Sequence, residues 1–497
     1  FLTFFSILLS FFYASFALAG DIKNDDLPVK KLSRELIEEI KSNPEGRIRI
    51  LVEIDRNNLR KDLTSIASLG EIKYQYNIVP TIAMKIEAKK VKELIKLKSV
   101  LKVIEDRKIK AFLTESIPLI NASKAWSNQV AGINLTGKGI SVCILDTGVN
   151  YTHPDLGNCT QQEFLNGNCS KVIAGYDFVN SDEDPMDDYG HGTHCAGIVA
   201  ANGSLKGVAP DAKIVAIKVL DENGTGYESD LIAGIEWCVN NASKYNISVI
   251  SMSLGFETLY ENYCDNEVNQ TLKKAVDAAV EKNISVVAAT GNDGSFSGIA
   301  LPACLSNVTA VAAVYDADVG PQEWCVKAIG DVCLEWCNDT TTRADKITCF
   351  SNRNNITDFL APGAMINSTN SSNLYAEEAG TSMAVPHVAG ALALLYQKYK
   401  LMYRRSPTPN YLKQILNETG VKINDTEGTK LNFTRIDVLA ALNAIEDVEE
   451  PKWFNLTEKA VVEGDDGIVI SAYWKDNAGL MYAWLSTNES GEWKNYT

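Results

Sequence analysis

The stretch Gly139-Ile140-Ser141-Val142-Cys143-Ile144-Leu145-Asp146-Thr147-Gly148 decides how this chain is read. Gly139–Leu145 is a short apolar run rich in Val and Ile, the pattern of a strand buried on both faces. It ends on an acid followed by Thr-Gly. A carboxylate just past the carboxyl end of such a strand stands where open α/β sheets gather ligand and catalytic groups. Runs of the same kind recur at Lys213–Val219, Ser248–Leu254, Ser285–Ala289 and Val308–Val314, each followed by a loop or helix. From about Ser123 to Ala444 this alternation predicts an α/β domain, a parallel sheet with helices on both faces.

Two distant segments complete a chemical set with Asp146. His191-Gly192-Thr193-His194-Cys195-Ala196-Gly197 opens an apolar helix, and Gly380-Thr381-Ser382-Met383-Ala384-Val385-Pro386 opens another. A carboxylate can fix the imidazole tautomer that leaves the other ring nitrogen basic, and that nitrogen can take a serine proton. Taken singly, Asp146 reads as a turn residue and Ser382 as a helix cap. Taken together, Asp146, His191 and Ser382 read as acid, base and nucleophile. The chain has four histidines, His153, His191, His194 and His387, all in or beside these motifs. His191, entered through Tyr189-Gly190, is assigned as the base, and His194 a structural hydrogen bond. A serine at a helix start lies beside exposed N–H groups, so the Ser382 N–H can serve an oxyanion. Asn292, at the end of the apolar run Val287–Ala289, is the second donor through its side-chain amide.

These segments resemble the signature segments of the subtilisin-like serine proteases (subtilases), over roughly Ser123 to Ala444. The resemblance implies the triad Asp146, His191 and Ser382, with Asn292 in the oxyanion hole. It further implies that Gly224-Thr225-Gly226 and Ser253-Leu254-Gly255 bind substrate by adding strands to a bound peptide. Ala300-Leu301-Pro302 is similar to one wall of the specificity pocket, and with no acid beside it an uncharged, apolar P1 side chain is expected. The loop Asn202–Lys206 is shorter than the one that wraps calcium in bacterial subtilisins. Asp155 matches that site's carboxylate and is a weak metal candidate, so structural Ca2+ is expected without a placed site. Asp182-Glu183-Asp184 is another oxygen-rich candidate. Cys195 resembles the proteinase K and kexin groups at its position, where packing is the default role.

Residues Arg47 to Asp106 read as a small α+β unit in the order β-α-β-β-α-β, the split βαβ or ferredoxin-like pattern. Its strands are Arg47–Ile54, Glu71–Tyr76, Thr81–Ile86 and Val100–Ile104, with helical spacing over Asn57–Ser68 and Ala88–Leu97. The resemblance makes this unit a propeptide, a folding assistant and intramolecular inhibitor removed by self-cleavage near Phe112–Ser116. The expected organisation is a signal peptide over 1–19, the propeptide over 20–114, the peptidase over 115–447 and the start of a β-sandwich over 448–497. The last rests on Val461–Val462, Ile468–Tyr473 and Leu480–Leu485.

Composition bounds the compartment and the partners. A net charge of −16 argues against nucleic acid or an anionic membrane surface. Phe1–Ala19 is almost wholly apolar and closes on Ala17-Leu18-Ala19, a cleavage signal for export. A membrane anchor would have to lie in a further C-terminal part. About 20 Asn-x-Ser/Thr acceptors, none before Asn121, point to a glycosylated surface. Of eleven cysteines, Cys143, Cys195 and Cys238 lie in apolar segments and are expected to stay reduced. The other eight fit four disulfides, with Cys159–Cys169 and Cys264–Cys304 expected. Pairing among Cys325, Cys333, Cys337 and Cys349 is open. The expected protein is a secreted serine endopeptidase acting on proteins or peptides, needing no cofactor for its chemistry. A catalytically silent scaffold and a tethered processing protease are the alternatives.

Overall fold

The computed structural model describes residues 31–446, apart from breaks at 34–35, 38–39, 42, 45, 77, 107, 112–115 and 330–331. Beyond 446 it describes Lys452–Glu458 paired antiparallel with Ile470–Lys475, and Leu485–Thr487 with Lys494–Tyr496. The expected signal peptide and most of the expected β-sandwich therefore lie outside the described residues. The chain divides into two compact units, residues 1–75 with 80–105, and residues 76–79 with 106–497.

The smaller unit follows its hydrophobic pattern. β1 (Arg47–Ile54), α1 (Arg56–Leu69), β2 (Gly70–Gln75), β3 (Thr81–Glu87), α2 (Val91–Leu94) and β4 (Val100–Glu105) form an antiparallel sheet in the order β2-β3-β1-β4. Alternate residues Ile48, Ile50, Val52 and Ile54 of β1 join Ile82, Met84, Ile86 and the α1 residue Ile66 in one buried cluster. This is the split βαβ arrangement that the period-2 and helical stretches predict.

The larger unit begins, after Tyr76–Val79, with β5 (Lys108–Ala111) and continues through β6 (Ser141–Asp146), β7 (Val172–Asp177), α3 (His191–Ala200) and β8 (Lys213–Lys218). Next come β9 (Thr225–Tyr227), α4 (Glu228–Tyr245), β10 (Ile247–Met252), β11 (Leu254–Gly255), α5 (Gln270–Glu281), β12 (Ser285–Ala289) and β13 (Thr309–Tyr315). The hairpin β14 (Gln322–Ile329) and β15 (Val332–Asp339) precedes β16 (Phe359–Thr369), β17 (Tyr375–Ala379), α6 (Thr381–Tyr403), β18 (Val421–Asn424) and β19 (Asn432–Arg435). The main sheet runs β18-β19-β16-β13-β12-β10-β6-β8-β7, with β17 paired to β16. From β7 to β16 every pairing along this order is parallel. Alternation along β6 explains the layers: Val142 and Ile144 belong to a cluster with α3 and α6, while Cys143 reaches α4 on the other face. The fold is the expected α/β sandwich, with β6 in its interior. Burying each such aliphatic side chain stabilises the fold by about 1.5–3 kcal/mol.

One cysteine reading is corrected. Cys143 and Cys238 are not reduced but form a disulfide that ties β6 to α4. An apolar setting had argued for free thiols; the strand's alternation instead sets Cys143 against the inner side of the helix carrying Cys238. Cys159–Cys169 and Cys264–Cys304 pair as expected, and Cys325–Cys333 and Cys337–Cys349 complete the set. Cys195 is the free thiol.

Candidate active site

Asp146, His191 and Ser382 reach one place because three element ends meet there. Asp146 is the last residue of β6, His191 the first of α3, and Ser382 the second of α6. All three are essentially fully buried. His191 Nδ1 lies 2.6 Å from Asp146 Oδ1, and the same oxygen accepts from the Thr147 N–H at 2.7 Å. Asp146 Oδ2 is buried and has no hydrogen-bond partner among the described residues. Gly192 makes this approach feasible, since a Cβ there would sit 2.1 Å from the Gly148 carbonyl oxygen and 3.1 Å from Asp146 Cβ.

Charge follows from this geometry. Burial disfavours the imidazolium of His191, but the Asp146 carboxylate beside it more than offsets that and holds its proton affinity well above that of an ordinary imidazole. Among the described residues His194 and His387 have no carboxylate partner, and burial pushes them down to about 3 and about 4. His194 Nε2 meets the carbonyls of Ile366 (3.3 Å) and Ala376 (3.1 Å), the structural role expected of it. His153 Nε2 meets the carbonyl of Leu374.

The surroundings of Ser382 follow from one proline. Pro386 lies inside α6 and has no N–H, so the Ser382 carbonyl lacks its usual partner four residues on. That carbonyl instead accepts from Ser253 Oγ and, at 3.8 Å, from Cys195 Sγ. Burial pushes the Cys195 thiol up to about 11, which keeps it a neutral donor. In return, Ser382 Oγ donates to the Ser253 carbonyl at 3.1 Å. Asn292 Oδ1 accepts from Thr381 N at 2.8 Å and Thr381 Oγ1 at 2.9 Å. Its amino group has no protein acceptor among the described residues and remains available as a donor beside Ser382.

The two segments read as substrate-pairing border a seated peptide. β5 lies between β9 and β11 in a three-stranded antiparallel sheet, with Ile109 opposite Gly226, Lys110 opposite both Thr225 and Gly255, and Ala111 opposite Leu254. The strand runs towards Ser253. Gly224 precedes β9 with a positive φ of 67°, and Ser253 precedes β11. Ala300 and Leu301, expected as one wall of the specificity pocket, are buried. Nearby, the Asp106 carboxylate accepts from Ser229 N and Ser229 Oγ at the start of α4, where an anion meets the positive end of an 18-residue helix.

The metal candidates do not form an oxygen cage. Asp155 Oδ1 accepts from Ser204 N at 3.0 Å, and Oδ2 from Leu205 N and Tyr375 Oη, both at 2.8 Å. Those oxygens are spent on N–H and O–H donors, which suits a loop strut better than a calcium ligand. Asp184 is likewise engaged by Tyr151 Oη and Gln161 Nε2, and Asp182 Oδ1 by Asp184 N. Among the described residues, the group with metal-ligand spacing is Asp146, His191 and Cys195 itself.

Two acids escaped the sequence reading. Asp187 accepts bonds from residues next to both Asp146 and His191. Glu378, four residues before Ser382, has a buried Oε2 without a hydrogen-bond partner among the described residues. Burial raises its carboxyl to about 7; His191 opposes this, and Asp146 and Asp187 reinforce it. Asp187 stands four residues before His191.

Residues 137–437 match the description "Subtilase family". A thermophilic serine proteinase of Bacillus sp. strain AK1 is 37% identical over 303 residues, covering 60% of this chain and 60% of its own length. Subtilisin E of Bacillus subtilis is 36% identical over 348 residues, covering 68% of this chain and 76% of its own. The serine protease AprX of the same species is 33% identical over 359 residues, 66% of this chain and 70% of its own. The chain belongs to the subtilase family of serine endopeptidases.

Proposed function

We propose that this chain is a secreted, glycosylated serine endopeptidase that matures by cutting off its own N-terminal part. Ser382 attacks the peptide carbonyl while His191, oriented by Asp146, takes its proton. The Asn292 amide and the Ser382 N–H stabilise the oxyanion, and water releases the acyl-enzyme. Substrates are proteins or peptides, bound as a strand between Gly224–Gly226 and Ser253–Gly255, with an apolar P1 side chain. The intramolecular inhibitor is the N-terminal part of the same chain. A structural calcium ion stays in this proposal without an assigned ligand set.

The observation that carries the reading is β5. A segment of the chain is already paired where substrate would pair, and it runs towards the serine. Ala111 faces Leu254, so the next step in this antiparallel register is Ser253, whose carbonyl Ser382 Oγ touches. The residues Phe112–Leu113 and on to Glu115 lie outside the described residues, but the count makes the bond after Phe112 the one proposed to be cut. Phe112 would then be the P1 residue, in keeping with an apolar pocket. Among the described residues no helix is long and apolar enough to cross a membrane. Intact-mass measurement and N-terminal sequencing of the processed protein test the proposal. A new N-terminus at Leu113, absent from Ser382→Ala, supports it; a cut elsewhere that persists in Ser382→Ala refutes self-processing.

A further inference from the structure

We infer that Asp187 is a positioning residue for the Asp146–His191 pair, an inference that rests on the serine-protease reading above. Asp187 is 6% exposed, and its carboxylate takes five hydrogen bonds. Oδ1 accepts from Thr147 Oγ1 at 2.9 Å, Tyr189 N at 3.0 Å and Gly190 N at 2.8 Å. Oδ2 accepts from Thr193 N at 2.9 Å and from Thr193 Oγ1. Thr147 directly follows Asp146, while Tyr189, Gly190 and Thr193 flank His191. One carboxylate thus holds the loop after the acid and both sides of the base.

Each threonine makes the bond directional. Thr147 Oγ1 accepts from Gly192 N at 2.9 Å, and Thr193 Oγ1 accepts from Asn150 N at 2.9 Å. A hydroxyl that accepts from an N–H must send its own proton elsewhere, and in both cases the acceptor is Asp187. The chain of contacts from Asp187 through Thr147 to Gly192 therefore locks the start of α3 against the end of β6. An acceptor-only group with two oxygens is needed to serve all five donors. Asparagine would keep one oxygen and turn an NH2 towards donors. The five bonds of Asp187 go to Thr147, Tyr189, Gly190 and Thr193 and none to Ser382, so its part in the reaction is to keep His191 Nδ1 within reach of Asp146 Oδ1.

The test uses Asp187→Asn and Asp187→Ala in the full chain, with Thr147→Val and Thr193→Val as gentler variants that keep the carboxylate. Wild-type enzyme added in trans processes any variant that cannot cut itself, and end-point labelling by a fluorophosphonate counts sites. Per labelled site, kcat is expected to fall about 10- to 100-fold with KM within about twofold, as for a small misplacement of the base. The acid limb of the kcat/KM profile is expected to move to lower pH, because an imidazole that loses Asp146 loses what holds its proton. A lower melting temperature with unchanged kcat per site and an unchanged acid limb would show a purely structural role and overturn the inference. Should the Asp187 variants fail to fold, the same readouts on the two threonine variants decide. No label on wild type would instead sink the serine-protease reading itself.

Discussion

His191 Nδ1 and Asp146 Oδ1 stand 2.6 Å apart with both side chains out of water. The carboxylate favours the protonated ring against the cost of burial, and the balance raises the His191 pKa above its ordinary 6.5. The free enzyme is competent when the ring is neutral. Its kcat/KM should therefore climb with pH and reach half its plateau above pH 6.5. Asp146→Asn should move that midpoint down and lower kcat about 10⁴-fold. A pH–rate profile with a small chromogenic peptide measures both.

Asn292 is anchored through its oxygen to Thr381, which leaves the amino group as donor. Asn292→Ala should cost about 10²–10³-fold in kcat, a range taken from subtilisin itself, with KM little changed. Stopped assays on site-titrated enzyme separate this from a folding defect. Equal losses in kcat and in titratable sites would mean the residue is structural.

Of eleven cysteines, ten are paired and Cys195 is free. Alkylation under denaturing, non-reducing conditions should add one label, on Cys195. Three labels, on Cys143, Cys195 and Cys238, would restore the reduced-core reading. The Cys143–Cys238 bond closes a loop with a sequence separation of 95. Replacing both by Ala should cost roughly 4–5 kcal/mol in the chain-entropy picture, measured by denaturant titration.

Glu378 is raised from 4.5 in the unfolded chain to about 7 when folded. The folded state then binds more protons between those values, so the stability this group contributes is full below pH 4.5 and is lost as pH rises through 7. Glu378→Gln, made in an uncleavable Ser382→Ala background, should gain stability relative to its parent between pH 5 and pH 8. The gain should be on the order of 1–3 kcal/mol, discounted for partial exposure. Chemical denaturation at the two pH values tests it; an equal difference at both contradicts a raised carboxyl.

Much of this was legible from residue patterns. Apolar runs of strand length gave β6, β8, β10, β12 and β13 within a residue or two, since strands buried on both faces carry little else. Each of the three motif residues sits at an element end, where a sequence shows its turn and cap chemistry most clearly. Cys143 and Cys238 were misread because apolar surroundings say nothing about whether two thiols face each other across a strand and a helix. The surroundings of Asp155 were out of reach for a related reason: which donors reach a carboxylate depends on loops distant in sequence, here Ser204, Leu205 and Tyr375. Asp187 and Glu378 were invisible because exposed and buried acids look alike until their neighbours are known.

The most direct test asks whether Ser382 is a nucleophile. Wild type and Ser382→Ala, each expressed from Gly20, would be treated with a fluorophosphonate probe and sized by mass spectrometry. The account predicts that only wild type is labelled, on Ser382, and that only wild type has lost the residues before Leu113. A folded wild type that takes no label, or a Ser382→Ala chain that labels and matures alike, would contradict it.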